Sequence, residues 1–174
     1  MNELYCRNCD KWKPLNAMKK EKRNRSGYMN MCNQCHYAKY KKNLRIRIDN
    51  SRKKADEYGV MNVLLKAEFA EVKAKKRCIY CGNEISGFNS TVDHVTPMKL
   101  GGPNARANVV QACRSCNSSK NHKPVYQFYL ESETFTDELY AAFLDEFSQR
   151  NIGTPEQLDE VLRQQYEAEV GAGA

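Results

Sequence analysis

Eight cysteines fall into four Cys-x-x-Cys pairs, Cys6/Cys9, Cys32/Cys35, Cys78/Cys81 and Cys113/Cys116, and nothing else in this 174-residue chain restricts its fold as tightly. A Cys-x-x-Cys knuckle sets two thiolates on one turn, and two knuckles complete a closed tetrahedron of soft ligands suited to Zn2+. Taken in chain order they make two sites, with 22 residues between Cys9 and Cys32 and 31 between Cys81 and Cys113. An iron–sulfur cluster and thioredoxin-like redox pairs share the Cys-x-x-Cys spacing, but neither predicts four evenly paired knuckles. Closed sites of this kind are structural and leave no open position for substrate.

The knuckles also explain how so polar a chain can fold. The loop KKEKRNRSGYMNM, residues 19–31, is too poor in apolar residues to hold itself together and needs a cross-link. No run approaches the roughly 18 to 20 apolar residues of a membrane helix. The opening MNELYCRNCD has no apolar core of a secretory signal, so a cytoplasmic, reducing setting is expected, with no membrane partner. The net charge of +7 conceals an uneven distribution: residues 1–122 carry 25 basic and 10 acidic side chains, and residues 123–174 carry 3 and 11. A basic excess of that density suits a polyanion, because each Lys or Arg on a phosphate releases condensed counterions.

Four parts follow along the chain: an N-terminal zinc module over 1–36, a basic helical region over 37–76, a zinc-stapled core over 77–123, and an acidic helical region over 124–174. Helical spacing of Tyr37, Tyr40, Leu44 and Ile48 predicts a helix over 37–58 with Gly59 as its C-cap, and Lys41, Lys42 and Arg45 on it are candidate DNA contacts. A second helix is expected over about 60–76. Short β-like runs lie at 91–96 and 108–112, around a turn at Gly101-Gly102-Pro103. After Pro124 two helices are expected, 136–150 with Leu139, Phe143 and Phe147 on one stripe, and 155–169 opened by the capping box Thr154-Pro155-Glu156-Gln157. Trp12 is assigned to the small core of the first module.

The chemistry concentrates between the last two knuckles and just beyond them. Asp93 and Asn117 supply hard oxygen donors suited to Mg2+ or Mn2+, a cation that accepts phosphate oxygens as further ligands. His94, with an ordinary pKa of roughly 6.5, is suited as a neutral imidazole to take a proton from water. Lys120, one turn from Asn117, is a candidate phosphate contact. Successive residues on a regular strand point to opposite faces, so a bulge near His94 is expected if Asp93 and His94 are to face one phosphate.

These residues, Val92-Asp93-His94-Val95-Thr96-Pro97, Asn108-Val109-Val110 and Cys113-Arg114-Ser115-Cys116-Asn117-Ser118-Ser119-Lys120, resemble the HNH endonuclease family and its ββα-metal motif. The resemblance covers residues 78–122 and implies an α+β fold: a small zinc-stapled ββα-metal core with an N-terminal zinc-knuckle module and flanking helices. It implies Asp93 and Asn117 as ligands of a catalytic Mg2+ or Mn2+, His94 as general base, and Asn108 as the residue that braces the loop and orients the histidine. The last motif position is asparagine here, where many members have histidine. The N-terminal run from Tyr5 to Lys42 is similar to the zinc-binding segment of phage proteins like recombination endonuclease VII, which implies a bacterial or phage-encoded protein.

The function expected is therefore metal-dependent hydrolysis of DNA phosphodiester bonds, with DNA as partner and a homodimer compatible with the reading. The competing function is a non-catalytic zinc-finger DNA-binding or regulatory protein, and an RNA-directed activity is not separated from it by charge. Each residue also has a plainer role: His94 as a core histidine, Asn108 as a turn former, Asn117 as a helix N-cap, Asp93 as a salt-bridge partner. Elemental analysis of the purified chain is expected to find two zinc equivalents; one or none would break this architecture.

Overall fold

The computed structural model describes residues 3–86 and 89–172; the side chains of Tyr37, of residues 40–44 and of Ala172 lie outside that description. The expected roles of Lys41 and Lys42, and the stripe of Tyr37, Tyr40 and Leu44, therefore fall outside the described residues. The chain forms two compact units, residues 1–49 and 50–174.

The first unit consists of two short hairpins and the start of a helix. Strand β1 (Glu3–Cys6) pairs antiparallel with β2 (Lys11–Pro14), and the Cys6–Cys9 knuckle is the turn between them. Strand β3 (Met18–Lys20) pairs with β4 (Tyr28–Cys32), with a register shift between Met18 and Lys20. Cys6, Met18 and Cys32 are its buried apolar cluster, with Leu4, Cys9, Tyr28, Met31 and Cys35 packed around them. The cysteine set is thus most of the core, as the composition required. Trp12 lies elsewhere: it is 64% exposed, edge-on to Tyr5 across the β1/β2 ladder at 5.6 Å. Its position on β2 aims it away from a cluster already filled by sulfur.

Helix α1 (Asn33–Tyr58) begins four residues earlier than the pattern predicts, because the second knuckle itself turns into it. It ends as expected at Gly59, with φ +65°, where Gly59 N–H donates to Asp56 O and Val60 N–H to Ala55 O. These two bonds close the helix in a Schellman motif. The predicted helix over 60–76 is shorter, α2 spanning only Lys66–Ala74. The reason is backbone pairing: Val63 and Leu64 both donate to Asn104 O, and Asn104 N–H donates to Met61 O, which holds residues 61–64 extended.

The second unit is centred on the antiparallel pair β5 (Ser90–His94) and β6 (Val109–Cys113), in register from Ser90↔Cys113 to His94↔Val109. The ladder is regular to its last rung, so the bulge expected at His94 is not there. Between the strands, a short 3-10 turn at Met98–Leu100 leads to Gly101 at φ +82°. Gly102 packs so tightly that a Cβ would lie 1.9 Å from Thr96 O. Helix α3 (Arg114–Lys120) starts directly from β6. Three helices follow, α4 (Val125–Glu131), α5 (Asp137–Ser148) and α6 (Pro155–Ala172). The first of these was not expected, since seven residues show too little periodicity to read. Thr154 and Gln157 form the expected capping box, each side chain bonded to the other's backbone N–H. Buried residues from Cys78 to Leu162 form one core, including Tyr80, Val95, Val110, Phe143 and Leu158. Among the described residues, no helix is long and apolar enough to cross a membrane.

Asn108 closes the β5–β6 loop. Its Oδ1 accepts from Thr96 N–H at 2.8 Å, and its Nδ2 donates to Thr96 O and Pro103 O. Asn108→Ala removes all three bonds at a buried position and is expected to destabilise the fold by about 3 kcal/mol, read as a lower denaturation midpoint with an unchanged slope in urea.

Candidate functional site

Each group of four cysteines converges as the spacing predicts, with its sulfur atoms all within 4.8 Å of one another. A tetrahedron with metal–sulfur bonds of about 2.3 Å has sulfur–sulfur edges of about 3.8 Å, and Cys81 Sγ lies 3.9 Å from Cys113 Sγ. Backbone amides point into both groups: Cys32 N–H donates to Cys6 Sγ and Cys116 N–H to Cys113 Sγ. Protons are shared unevenly among the thiols. The hydrogen bond from Cys116 holds Cys78 down at about 5 and pushes Cys116 itself far above the usual thiol range. Burial raises Cys6, but the backbone N–H groups of Cys32, Asn8 and Cys9 outweigh it and bring it to about 6, while its neighbour Cys35 is pushed up to about 12, mainly by its contact with Cys32. Four thiols this close cannot all ionise alone, and a dication removes that conflict by accepting all four sulfurs. Both groups are zinc-like in donor type and spacing.

The second cluster joins three segments, the 78–81 knuckle, the end of β6 and the start of α3. Cys113 is the N-cap of α3, its Sγ accepting the Cys116 N–H. This fixes Tyr80, inside the knuckle, and Lys120, at the end of α3, relative to Asp93 on β5. Tyr80 OH donates to Asp93 Oδ2 at 2.6 Å, and Lys120 Nζ lies 3.2 Å from the same oxygen. Lys120 is 0% exposed and Asp93 6%. Burial, together with the facing Asp93, pushes the Tyr80 hydroxyl well above its usual pKa, so it remains a donor. Lys120 also donates to His94 O at 2.7 Å. It is therefore no surface phosphate contact, contrary to the sequence expectation: its charge is spent inside the protein on a carboxylate and a carbonyl.

His94 leaves the strand on the other face, as a regular ladder requires. Its Nε2 lies 3.1 Å from Asn104 Oδ1. Burial pushes the imidazole below its ordinary pKa, outweighing the opposing pulls of Asn104 and Asp93, which favours the neutral ring. Asn117 sits mid-helix on α3 rather than at its N-cap, half-buried, and its side chain makes no hydrogen bond to the described residues. Asn108 touches only loop backbone and acts by holding the loop. Arg45 is exposed, 3.9 Å from Asp49. The residues that sequence reading did not single out are Tyr80 and Asn104. A tyrosine between two zinc-type cysteines and an asparagine after Gly-Gly-Pro carry no periodic signal, and only their contacts reveal them.

Comparison with known proteins bears directly on this arrangement. The family model of HNH endonucleases matches residues 78–129, the stretch containing the second cluster, β5, β6 and α3. CRISPR-associated endonuclease Cas9 of Corynebacterium diphtheriae is 43% identical over 49 residues, covering 28% of this chain and 4% of that protein. The Cas9 of Actinomyces naeslundii is 30% identical over 73 residues, covering 39% of this chain and 7% of its own length. The chain thus spans under a tenth of either relative. A crystal structure of the type II-C Cas9 from Actinomyces naeslundii aligns with 75% of this chain and 16% of its own at 20% identity, with a TM-score of 0.39.

Within the HNH segment the buried Asp93–Lys120 pair makes a stability prediction. Lys120→Ala leaves a buried carboxylate without its counter-charge and is expected to cost about 3 to 5 kcal/mol, whereas Tyr80→Phe removes one hydrogen bond and should cost about 1 to 2 kcal/mol. Equilibrium urea unfolding reads both.

Proposed function

We propose that this chain is a metal-dependent HNH DNA endonuclease that hydrolyses phosphodiester bonds, with His94 as general base and structural zinc in both four-cysteine clusters. The observation that carries the reading is an imidazole at the end of β5, tethered through one ring nitrogen so that the other is left to take a proton, in a segment that matches the HNH family.

Hard oxygen donors for a divalent cation come from Asp93 and Asn117. Asp93 Oδ2 is engaged by Tyr80 and Lys120, but among the described residues its Oδ1 accepts no hydrogen bond, and the Asn117 amide is likewise unused. This donor set fits Mg2+ or Mn2+, which, when bound, supplies charge neutralisation at the phosphate and at the leaving oxygen. Lys120 puts a fixed positive charge beside the same carboxylate, which lowers the negative charge that Asp93 presents. His94 accepts a proton as the water oxygen bonds to phosphorus, the bond from phosphorus to the 3′ oxygen breaks, and the products carry a 5′ phosphate and a 3′ hydroxyl. In-line displacement puts the attacking and departing oxygens on opposite sides of phosphorus.

The basic excess of residues 1–122 supports a polyanionic substrate, and DNA is the substrate we assign. The competing reading is a zinc-finger DNA-binding protein without catalysis, in which His94 is a core histidine held by Asn104. Supercoiled plasmid incubated with the full chain and Mg2+ or Mn2+ is expected to become open-circle or linear. EDTA should abolish this, and His94→Ala should reduce it at least about 100-fold while DNA binding, read by gel shift, persists. Equal cleavage by His94→Ala removes the base; binding without any cleavage by the wild type favours the zinc-finger reading.

A further inference from the structure

We infer that a hydrogen-bonded relay running from the end of α1 through Asn62 and Asn104 fixes the tautomer of His94, so that Nε2 carries the hydrogen and Nδ1 is the nitrogen left to accept a proton. The inference deepens the proposed function and rests on it for the use of that nitrogen, though not for the tautomer itself.

The relay begins with two groups whose roles are not interchangeable. Asn62 Nδ2 donates to Arg52 O at 3.3 Å and to Asp56 Oδ1 at 2.9 Å. A backbone carbonyl and a carboxylate only accept, so the Asn62 amide has one orientation, with Oδ1 turned to Asn104. Asn104 Nδ2 donates to that oxygen at 2.9 Å. The Asn104 amide is thereby oriented too, since flipping it would set two oxygens against each other at a position that is 0% exposed. Its Oδ1 then faces His94 Nε2 at 3.1 Å and Ser51 Oγ at 3.0 Å. An amide oxygen only accepts, so the facing ring nitrogen must be N–H, and in a neutral imidazole the other nitrogen is then bare.

The backbone leaves Asn104 little freedom to escape this role. Its N–H donates to Met61 O, and its carbonyl accepts from Val63 and Leu64. Ser51 and Asn62 lie outside the stretch that matches the HNH family model, so the histidine of the HNH segment is oriented by residues that precede the segment. Asn104 and Asn62 are positioning residues: they act on the reaction only through the ring they hold. Where a second residue holds a catalytic or ligating histidine, removing it typically costs 10- to 100-fold.

The test uses the full zinc-loaded chain, 15N-labelled, with the His94 ring nitrogens observed by long-range proton–nitrogen correlation at pH 8 without substrate. The expected spectrum has Nε2 in the pyrrole-like position and Nδ1 in the pyridine-like position. Asn62→Ala, which frees the Asn104 amide to turn, should give mixed tautomers and about 10-fold lower kcat at unchanged KM; Asn104→Ala should give about 10- to 100-fold. A wild-type His94 with its hydrogen on Nδ1 overturns the inference, as does an Asn62→Ala protein whose tautomer and kcat match the wild type. If Asn104→Ala does not fold, the wild-type and Asn62→Ala spectra decide alone. A wild type with the expected tautomer that cleaves no DNA sinks the proposed function and leaves the relay standing.

Discussion

Four sulfur atoms within 4.8 Å of one another, from Cys78, Cys81, Cys113 and Cys116, are the constraint on which the second unit depends. They tie a knuckle, the end of a strand and the start of a seven-residue helix to one point. A helix as short as α3 has almost no stability of its own in water, and it holds its place because Cys113 caps it and Cys116 anchors it. Once α3 and the knuckle are fixed, Lys120 and Tyr80 have only one place to go, and both meet at Asp93 Oδ2. The cluster therefore does no chemistry itself but sets the electrostatics of the residue before the histidine.

The two faces of β5 do different work. Asp93 turns to a buried cation and a buried phenol; His94 turns from the other face to a buried amide. A regular ladder makes this division unavoidable, since period two sends neighbours to opposite sides. The buried pair is costly in desolvation and is stable because Tyr80 supplies a further hydrogen bond to the carboxylate. The histidine lies where burial favours its neutral form, yet its environment is polar enough to orient it.

The acidic C-terminal helices belong to this same construction. Arg150 donates to Val109 O, Asn151 to Ala107 O, and Thr96 to Gln165 Oε1, so the turn after α5 and helix α6 hold both ends of the β5–β6 loop. Phe128 on α4 and Phe135 in the loop before α5 flank Tyr80, edge-on at 5.3 and 5.1 Å. Composition marks this region only as soluble helices. Its contribution to the site is a matter of packing, because a phenol hydroxyl can be aimed at Asp93 only if the ring behind it is held.

Much of this protein is legible in the order of its residues. Knuckle spacing predicts two four-thiolate clusters, because a Cys-x-x-Cys turn sets two sulfurs locally, and the four sulfurs of each group do converge. Gly59 and the Thr154–Gln157 box mark helix ends through short-range rules that tertiary contacts did not override, and the Asp-His and Asn positions carry the family pattern. Other features depended on partners far away in the chain. Residues 60–65 read as helix until Asn104, some forty positions later, claims their backbone. Lys120 reads as a surface cation until α3 buries it against Asp93. The tether of His94 joins residues from α1, an extended segment and a loop. Sequence alone determined which donors exist and how they are spaced along the chain. Only the fold decided which donor meets which acceptor, because hydrogen bonds and ion pairs at long separation arise only once the core has fixed the distances.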